Sequence, residues 1–185
     1  MTTPAQQRAE VLERLGRAVE TLLSSVDARI LPEHGAQIGY AITGARDTHD
    51  VAAITGGIMN TGNGIRAHGP CAFGVDETIA RIILTAMKFD PVVRCAATIR
   101  FSKKMIPVFD DLFFDHRAFS RRAAPAGLST MDWGVASCCR DGVPDVIYSL
   151  DSGTEEPFTG MFGADPIDVT NNIIMLSNRI IHIEL

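Results

Sequence analysis

Apolar residues at the start of the chain recur every three or four positions, the period that aligns side chains on one face of an α-helix. Thr3 and Pro4 precede this stripe and are typical of an N-cap followed by the first helical residue. We therefore predict a first helix that ends near Ser24. The same period predicts helices over residues 79–87, 103–112, 130–139 and 165–178, and Asp90-Pro91 predicts one further short helix.

Other segments alternate apolar and polar residues or are rich in β-branched and aromatic residues, as strands are. These segments span residues 37–42, 97–101, 113–116, 145–150 and 158–162. The turn-rich sequence from Asn60 to Gly64 contains Asn-Gly, a strong hairpin signal, so we predict antiparallel strands over 52–59 and 64–67. Residues 117–129 show no clear pattern and are predicted to form a surface loop. Strands and helices mix without a strict βαβ order, which favours a three-layer α/β sandwich on a mixed sheet over a doubly wound parallel sheet.

Composition and charge fit a single globular domain over residues 1–185. Apolar residues make up 46% of the chain and charged residues 21%, which is usual for globular proteins. No apolar stretch reaches the roughly 18 residues needed to cross a bilayer, and the N-terminus lacks the apolar core of a signal peptide. We therefore expect a cytoplasmic protein with no membrane partner. A net charge of −5 with scattered basic residues argues against direct binding of nucleic acid.

The four cysteines do not form a recognisable metal or disulfide pattern. Cys138 and Cys139 are adjacent on a predicted helix and are poorly placed to bridge each other or to share a metal. We interpret all four as reduced packing residues, except that Cys71 lies in a glycine-rich loop where an exposed thiol is reactive. The chain has no His-x-His, Cys-x-x-Cys, Walker or Gly-x-Ser-x-Gly motif. Metal and acyl-transfer enzymes are disfavoured, and no metal ligand is assigned.

The most informative segment for chemistry runs from Gly69 through Phe73 to Gly74 and leads into the helix that begins near Asp76. Free N–H groups and the positive end of the helix dipole suit a phosphate at such a position. Gly69, Phe73 and Gly74 are therefore candidate ligand-binding residues in an anion-binding loop. The alternative is that the glycines only shape a turn, because Asp76 and Glu77 already place negative charge at the helix start.

Basic residues near predicted strand ends add further candidates. Arg66 and His68 alternate on the strand before the loop, so both side chains can face the same anion, the alternative being a solvated strand face. Arg100 ends the next candidate strand and can also reach a phosphate, the alternative being a surface ion pair.

A second cluster of candidates combines a carboxylate, an imidazole and a guanidinium. Asp115, His116 and Arg117 are consecutive at the end of a predicted strand, where loops often build binding sites. We include all three residues among the candidate ligand-binding residues.

Many segments, taken in order, resemble one known family. They are Ile38–Ala41, Gly44–Ala45, Asp50–Ile54, Gly69–Pro70, Phe73–Gly74, Ala80–Pro91, Ile99–Phe101, Asp132–Val135, Pro144–Tyr148, Glu156–Pro157 and Phe162–Pro166. This set resembles the ThiN-type thiamine-phosphate synthase domain over about residues 8 to 175. The resemblance implies a three-layer α/β/α sandwich on a mixed, largely antiparallel sheet, related to class II aldolases. Active members join hydroxymethylpyrimidine diphosphate to thiazole phosphate and release pyrophosphate, with Mg²⁺ expected alongside the diphosphate.

The chain departs from the family pattern at positions that matter for this reaction. The pattern implies an arginine in a Gly-Arg-Ile segment and a histidine after Phe-Gly, and these positions fall on Gly57 and Thr78. Thr98 replaces an asparagine, Ser149 a histidine and Gly160 a basic residue. Removing a donor that stabilises developing pyrophosphate charge is expected to raise the barrier by several kcal/mol.

Three hypotheses follow from a retained family pattern with altered catalytic positions. The first is a non-catalytic or weakly active domain that binds thiamine phosphate or a related phosphorylated ligand, as the sensing halves of some regulators of this family do. The second is an active synthase in which Arg66, His68 or Arg100 has taken over the cationic role. The third is a ligand-free interaction module, for example a homodimer.

Overall fold

The computed structural model describes residues 2–150 and 157–185. Five α-helices lie in these ranges: α1 (Pro4–Ser25), α2 (Glu77–Met87), α3 (Ile106–Asp111), α4 (Thr130–Cys138) and α5 (Pro166–Ile180). The Thr3 hydroxyl accepts a hydrogen bond from the Gln6 N–H, and the Gln6 side-chain oxygen accepts one from the Thr3 N–H. These two bonds explain why α1 begins where the sequence predicts. No helix in the described ranges is long and apolar enough to cross a membrane.

Within the described ranges, seven strands form the main sheet in the order β5-β2-β1-β6-β9-β8-β7. They are β1 (Gln37–Ala41), β2 (Val51–Ile54), β5 (Cys71–Phe73), β6 (Cys95–Ile99), β7 (His116–Phe119), β8 (Val146–Ser149) and β9 (Thr159–Gly163). Among the neighbouring strand pairs only β7 and β8 run parallel, so the sheet is mixed and largely antiparallel. A separate antiparallel hairpin consists of β3 (Ile58–Asn60) and β4 (Ile65–Ala67), which confirms the hairpin predicted from Asn60 to Gly64.

Apolar side chains pack on both faces of the sheet. Helices α1, α3 and α5 bury residues such as Leu15, Phe109 and Ile173 in one cluster with Ile38 of β1. Helices α2 and α4 contribute to a second cluster that contains Ala41, also of β1. Alternate residues of a strand point to opposite faces, so β1 supplies both clusters and is buried along its whole length.

The register of the strands defines two ends of the sheet. The strand ends at what we call the Gln37 end are Gln37, Ile54, Cys71, Ile99, Phe119, Ser149 and Thr159. The opposite strand ends form the Ala41 end and are Ala41, Val51, Phe73, Cys95, His116, Val146 and Gly163. Helix α2 begins at the Gln37 end, because its N-cap Asp76 accepts a hydrogen bond from Gln37.

The predicted strand over 52–59 is wrong as one element and forms β2 and β3 instead. Gly56 and Gly57, which separate them, both have φ of +74°, a left-handed conformation that ends an extended strand. The predicted loop before α2 is also partly a strand, because Cys71–Phe73 pairs with β2 as β5.

The short helix predicted at Asp90-Pro91 does not form. The Asp90 carboxylate accepts from the Val92 N–H at 3.0 Å, so the aspartate closes a turn of its own before β6. The next predicted strand is displaced: β7 begins at His116, because Phe113 closes the end of α3 with φ of +56°. Residues 117–129 are therefore not wholly a loop, since they contain most of β7 and a short 3₁₀ helix over Arg121–Ala123.

Candidate functional site

Gln37 connects three elements at the Gln37 end of the sheet. Its side-chain carbonyl accepts from the Ile54 N–H at 2.9 Å, and its amide donates to the Ile54 carbonyl at 2.8 Å. The same amide donates to Asp76 at 3.0 Å, and Asp76 in turn accepts from the Ile79 N–H at 2.9 Å. Because Gln37 is only 9% exposed, these bonds are shielded from water and fix the start of α2 against β1 and β2.

Gly57 lies beside this network and leaves no room for a side chain. A Cβ atom at Gly57 would lie 2.8 Å from the Ala36 carbonyl oxygen, and its φ of +74° is strained for any other residue. The Gly57 carbonyl accepts from the His68 N–H at 2.9 Å, and the His68 ring covers Gly56. The structure therefore brings the candidate His68 to the same end of the sheet as Gly57, while Arg66 is exposed on the separate hairpin.

The segment from Gly69 to Gly74 does not form the loop that the anion-binding prediction assumed. The Gly74 N–H donates to the Val51 carbonyl at 3.0 Å, and the Pro70 carbonyl accepts from Thr55. Gly69 stays at the Gln37 end, whereas Phe73 and Gly74 lie at the Ala41 end. The residues predicted to hold one phosphate are thus separated by the length of β5.

The described residues line two cavities that open at the Gln37 end. The first, about 500 Å³, is lined by Leu31, Glu33, Arg100, Phe101 and Pro157. The second, about 310 Å³, is lined by Glu77, Thr78, Arg81, Ser129, Met131 and Asp132, between the first turns of α2 and α4.

The electrostatics of the two cavities differ. In the second cavity the Arg81 guanidinium pairs with Asp132, which neutralises both charges. In the first cavity Arg100 is exposed and pairs with no carboxylate in the part of the chain that the structure describes. The first cavity therefore offers a guanidinium that is available to an anionic ligand.

One aromatic ring, that of Phe101, lines the first cavity. Phe101 stacks on Tyr148 with ring centroids 5.1 Å apart and planes inclined by 13°. Burial of Tyr148 raises the pKa of its phenol, so the ring is neutral at physiological pH. A flat heterocycle can extend this stack while its phosphate reaches Arg100.

At the remaining positions that depart from the family pattern, hydrogen bonds to the backbone or close packing fix the residue that is present. The Ser149 hydroxyl is buried and accepts from the Phe158 N–H at 2.9 Å. The Thr98 hydroxyl accepts from the Gln37 N–H at 3.0 Å. A Cβ atom at Gly160 would lie 2.8 Å from the Phe158 ring and 3.0 Å from the Phe162 ring.

The candidates Asp115, His116 and Arg117 lie at the Ala41 end, away from Arg100 and His68. Arg117 donates to the Cys138 carbonyl at 2.9 Å and to the Gly142 carbonyl at 3.2 Å. These bonds satisfy carbonyl groups at and beyond the C-terminus of α4, which is a structural role.

The two neighbours of Arg117 also make local contacts. The His116 ring bonds the Asp110 carboxylate at 2.9 Å and lies 3.4 Å from the Tyr148 hydroxyl. The Asp115 N–H donates to Asp145 at 2.9 Å. The structure thus divides the predicted site between two ends of the sheet.

Cysteine and metal chemistry gain no support in the described ranges. Cys71 is half-buried on β5, and burial raises the pKa of its thiol, which opposes the reactive role considered from the sequence. Burial also raises the pKa of the Cys139 thiol to about 11. No cluster of three or more His, Cys, Asp or Glu residues that could hold a metal occurs in residues 2–150 or 157–185.

Sequence reasoning missed Gln37, Glu33 and Phe101. The available signal for Gln37 was an amide at the start of an otherwise apolar strand, since a buried polar residue needs partners. Glu33 and Phe101 carried no such signal, because the cavity that they line is formed only when β6 meets the segment after α1.

Comparisons with known proteins agree with this architecture. Residues 14–175 match the family model described as thiamine-phosphate synthase ThiN. The bifunctional thiamine biosynthesis protein ThiDN of Methanocaldococcus jannaschii is 34% identical over 169 residues, which are 90% of this chain and 40% of that protein. The thiamine-phosphate synthase ThiN of Methanothermobacter thermautotrophicus is 27% identical over 177 residues, which are 91% of this chain and 93% of that protein.

Solved structures give the same result. The C-terminal domain of protein MJ0236 superposes with a TM-score of 0.90 at 30% identity and covers 100% of both chains. The protein YgbL of Klebsiella pneumoniae, named as an aldolase/epimerase/decarboxylase, has a TM-score of 0.52 at 8% identity over 92% of this chain and 89% of its own, a likeness of fold alone. Together with the match over residues 14–175, these findings show that the chain belongs to the ThiN thiamine-phosphate synthase family of thiamine biosynthesis.

Proposed function

We propose that this ThiN domain binds thiamine phosphate or a related phosphorylated ligand and has little or no synthase activity. The observation that carries the proposal is the backbone at Gly57, where the family resemblance implies an arginine. A Cβ atom there would lie 2.8 Å from the Ala36 carbonyl oxygen, so no cationic side chain can project from this position. A synthase needs donors on the departing pyrophosphate, and this one is absent.

The other departures support the same proposal. Gly160 is enclosed by the Phe158 and Phe162 rings, which leaves no space for a basic side chain. The hydroxyls of Ser149 and Thr98 are engaged by backbone N–H groups, so both serve the fold of the sheet. The chain has filled these positions with groups that stabilise the Gln37 end.

The ligand is proposed to occupy the cavity of about 500 Å³ beside Arg100 and Phe101. Arg100 would donate to the phosphate, and Phe101 would stack on a pyrimidine or thiazole ring. The cavity beside Thr78 is the weaker candidate, because Asp132 already neutralises Arg81.

Titration calorimetry with thiamine phosphate tests the binding proposal. Arg100→Ala removes a charge-assisted hydrogen bond worth about 1.5–3 kcal/mol, so we expect affinity to fall about 10-fold to 100-fold. Arg140→Ala is the matched control, because Arg140 is exposed near the Ala41 end of α4, and it should leave affinity unchanged. Absence of heat with thiamine phosphate and with both half-substrates, on folded protein, would reject ligand binding.

The rival function is active synthesis, favoured by the relative named thiamine-phosphate synthase, of which this chain spans 93%. Formation of thiamine phosphate from both half-substrates with Mg²⁺, counted per chain, separates the two functions. Less than one product per chain over a long incubation supports a binding domain. Sustained turnover that is lost in Arg100→Ala or His68→Ala would instead assign catalysis to cations other than the missing arginine.

The finer description of the fold and the setting are also proposals. Helix packing on both faces of the sheet, together with the likeness to YgbL, supports a three-layer α/β/α sandwich of the class II aldolase type. We further propose a cytoplasmic protein whose partner is the small phosphorylated ligand.

A further inference from the structure

A third cavity lies at the Ala41 end of the sheet, far from the proposed ligand site. It has a volume of about 410 Å³, and its lining includes Arg14, Tyr40, Thr43, Arg94 and Asp165. None of the positions at which the chain departs from the family pattern lines this cavity. Its residues come from α1, β1, the turn before β6 and the N-cap of α5, so the fold assembles it from four separate segments.

Arg94 brings a partly buried positive charge to this cavity. One of its terminal nitrogens donates to the Ala41 carbonyl at 2.9 Å, and the other donates to the Tyr40 hydroxyl at 2.6 Å. Both partners are neutral, and Arg94 forms no ion pair in the part of the chain that the structure describes. The Arg94 guanidinium also lies 4.7 Å from the centroid of the Tyr40 ring, which offsets part of the cost of the partly buried charge, and an anion in the cavity would offset the rest.

Tyr40 adds a second donor beside Arg94. Its side chain is almost fully buried, with 3% of the residue exposed, and its oxygen accepts from Arg94. Its own O–H has no acceptor within the described ranges, although it lines the cavity. Burial raises the pKa of the Tyr40 phenol, so the proton is present at neutral pH and available to a ligand.

Among the other charged side chains of the cavity, Arg14 and Asp165 form an ion pair and Glu10 does not. Arg14 donates to Asp165 at 2.8 Å, so these two side chains neutralise each other. Glu10 is exposed on the lining and forms no ion pair in the described part of the chain. The cavity thus presents one unmatched cation and one unmatched anion.

We propose that this cavity is a second binding site, which takes a small zwitterion. Its oxyanion group, a carboxylate or a phosphate, would be held by Arg94 and the Tyr40 O–H, while its cationic group would face Glu10. The site is separate from the proposed thiamine phosphate site and does not depend on it.

Amide chemical shifts of ¹⁵N-labelled protein, titrated with O-phosphoethanolamine, β-alanine, inorganic phosphate and ethanolamine, test the proposal. We expect saturable shifts at Tyr40, Thr43 and Arg94 with the two zwitterions, weaker shifts with phosphate and none with ethanolamine. The stronger of the two zwitterions identifies the oxyanion. Scattered, non-saturating shifts with all four compounds would overturn the proposal.

Three variants separate recognition from a structural role. Tyr40→Phe keeps the ring and the Arg94 charge but removes the O–H, so we expect about 10-fold weaker binding in a protein that still folds. Arg94→Lys should weaken binding by a similar factor, because it loses the planar fork but keeps the charge. Glu10→Gln should remove the advantage of O-phosphoethanolamine over phosphate. Unchanged binding in Tyr40→Phe and Arg94→Lys would refute the site, and Arg100→Ala should affect only thiamine phosphate.

Discussion

At the Gln37 end of the sheet, the positions at which the chain departs from the family pattern carry no charge, whereas at the Ala41 end two arginine side chains bond neighbouring groups. Gly57 and Gly160 have no side chain, and the Ser149 hydroxyl bonds a backbone N–H. At the other end, Arg117 satisfies carbonyls beyond α4 and Arg94 bonds Tyr40. The positions that depart from the family pattern have therefore lost their charge, whereas Arg100 and Arg81 still lie at the same end of the sheet.

The absence of side chains at Gly57 and Gly160 is structural as well as chemical. A surface arginine replaced by glycine leaves empty space that a reverse substitution can refill. At Gly57 and Gly160, by contrast, the Ala36 carbonyl and the Phe158 ring occupy the space that a side chain needs. Restoring the residue types implied by the family should therefore damage the domain before it restores any activity.

The largest effect is expected for Gly160→Lys. The position is buried on β9, so the substitution forces a clash with two rings and buries an unpaired ammonium group. We expect a loss of about 4 kcal/mol or more in the free energy of unfolding, measured by urea denaturation. Gly160→Ala, which introduces the clash without the charge, should lose about 1–3 kcal/mol. A Gly160→Lys variant as stable as the parent would show that the Phe158 ring moves aside freely.

A smaller effect is expected for Gly57→Ala, with Gly62→Ala as its matched control. Both glycines have positive φ, +74° and +81°, so each alanine is strained by about 1–2 kcal/mol. Only Gly57 has an atom in the way, because a Cβ at Gly62 meets nothing within 4 Å. The unfolding free energy of Gly57→Ala should therefore fall about 1–3 kcal/mol further than that of Gly62→Ala. Equal losses in the two variants would remove the steric argument against an arginine at Gly57.

The fold was largely accessible from sequence where local chemistry decides it. Thr3 and Asp165 cap α1 and α5 as their positions before proline predict, and Asn60 to Gly64 closes the predicted hairpin. β5 was missed because a three-residue edge strand has too few side chains to show an alternating pattern, and the glycines and proline on either side of it favour a loop. The Asp90 turn was missed because an aspartate before proline caps a helix or closes a turn with the same local bonds.

The candidate site was accessible only in part, because sequence does not give the direction of a strand within the sheet. His68 and Arg100 were predicted beside strand ends and do lie at the Gln37 end. Asp115 and His116 also flank a strand end, but β7 runs parallel to β8, and this pairing places its start at the Ala41 end. Gln37 was missed for a related reason, since its partners Ile54 and Asp76 come from other elements.

The smallest effect, and the sharpest test of the contrast between the two ends, is expected for Arg117→Met. The methionine keeps much of the packing of the arginine stem but removes the bonds to the Cys138 and Gly142 carbonyls. Because the side chain of Arg117 is 31% exposed, the unfolding free energy should fall by only about 1–2 kcal/mol. Affinity for thiamine phosphate, measured by calorimetry below the unfolding transition, should not change, since Arg117 lies at the opposite end from Arg100. A tenfold loss of affinity with no loss of stability would mean that thiamine phosphate reaches Arg117, and the placement of its site at the Gln37 end would then be wrong.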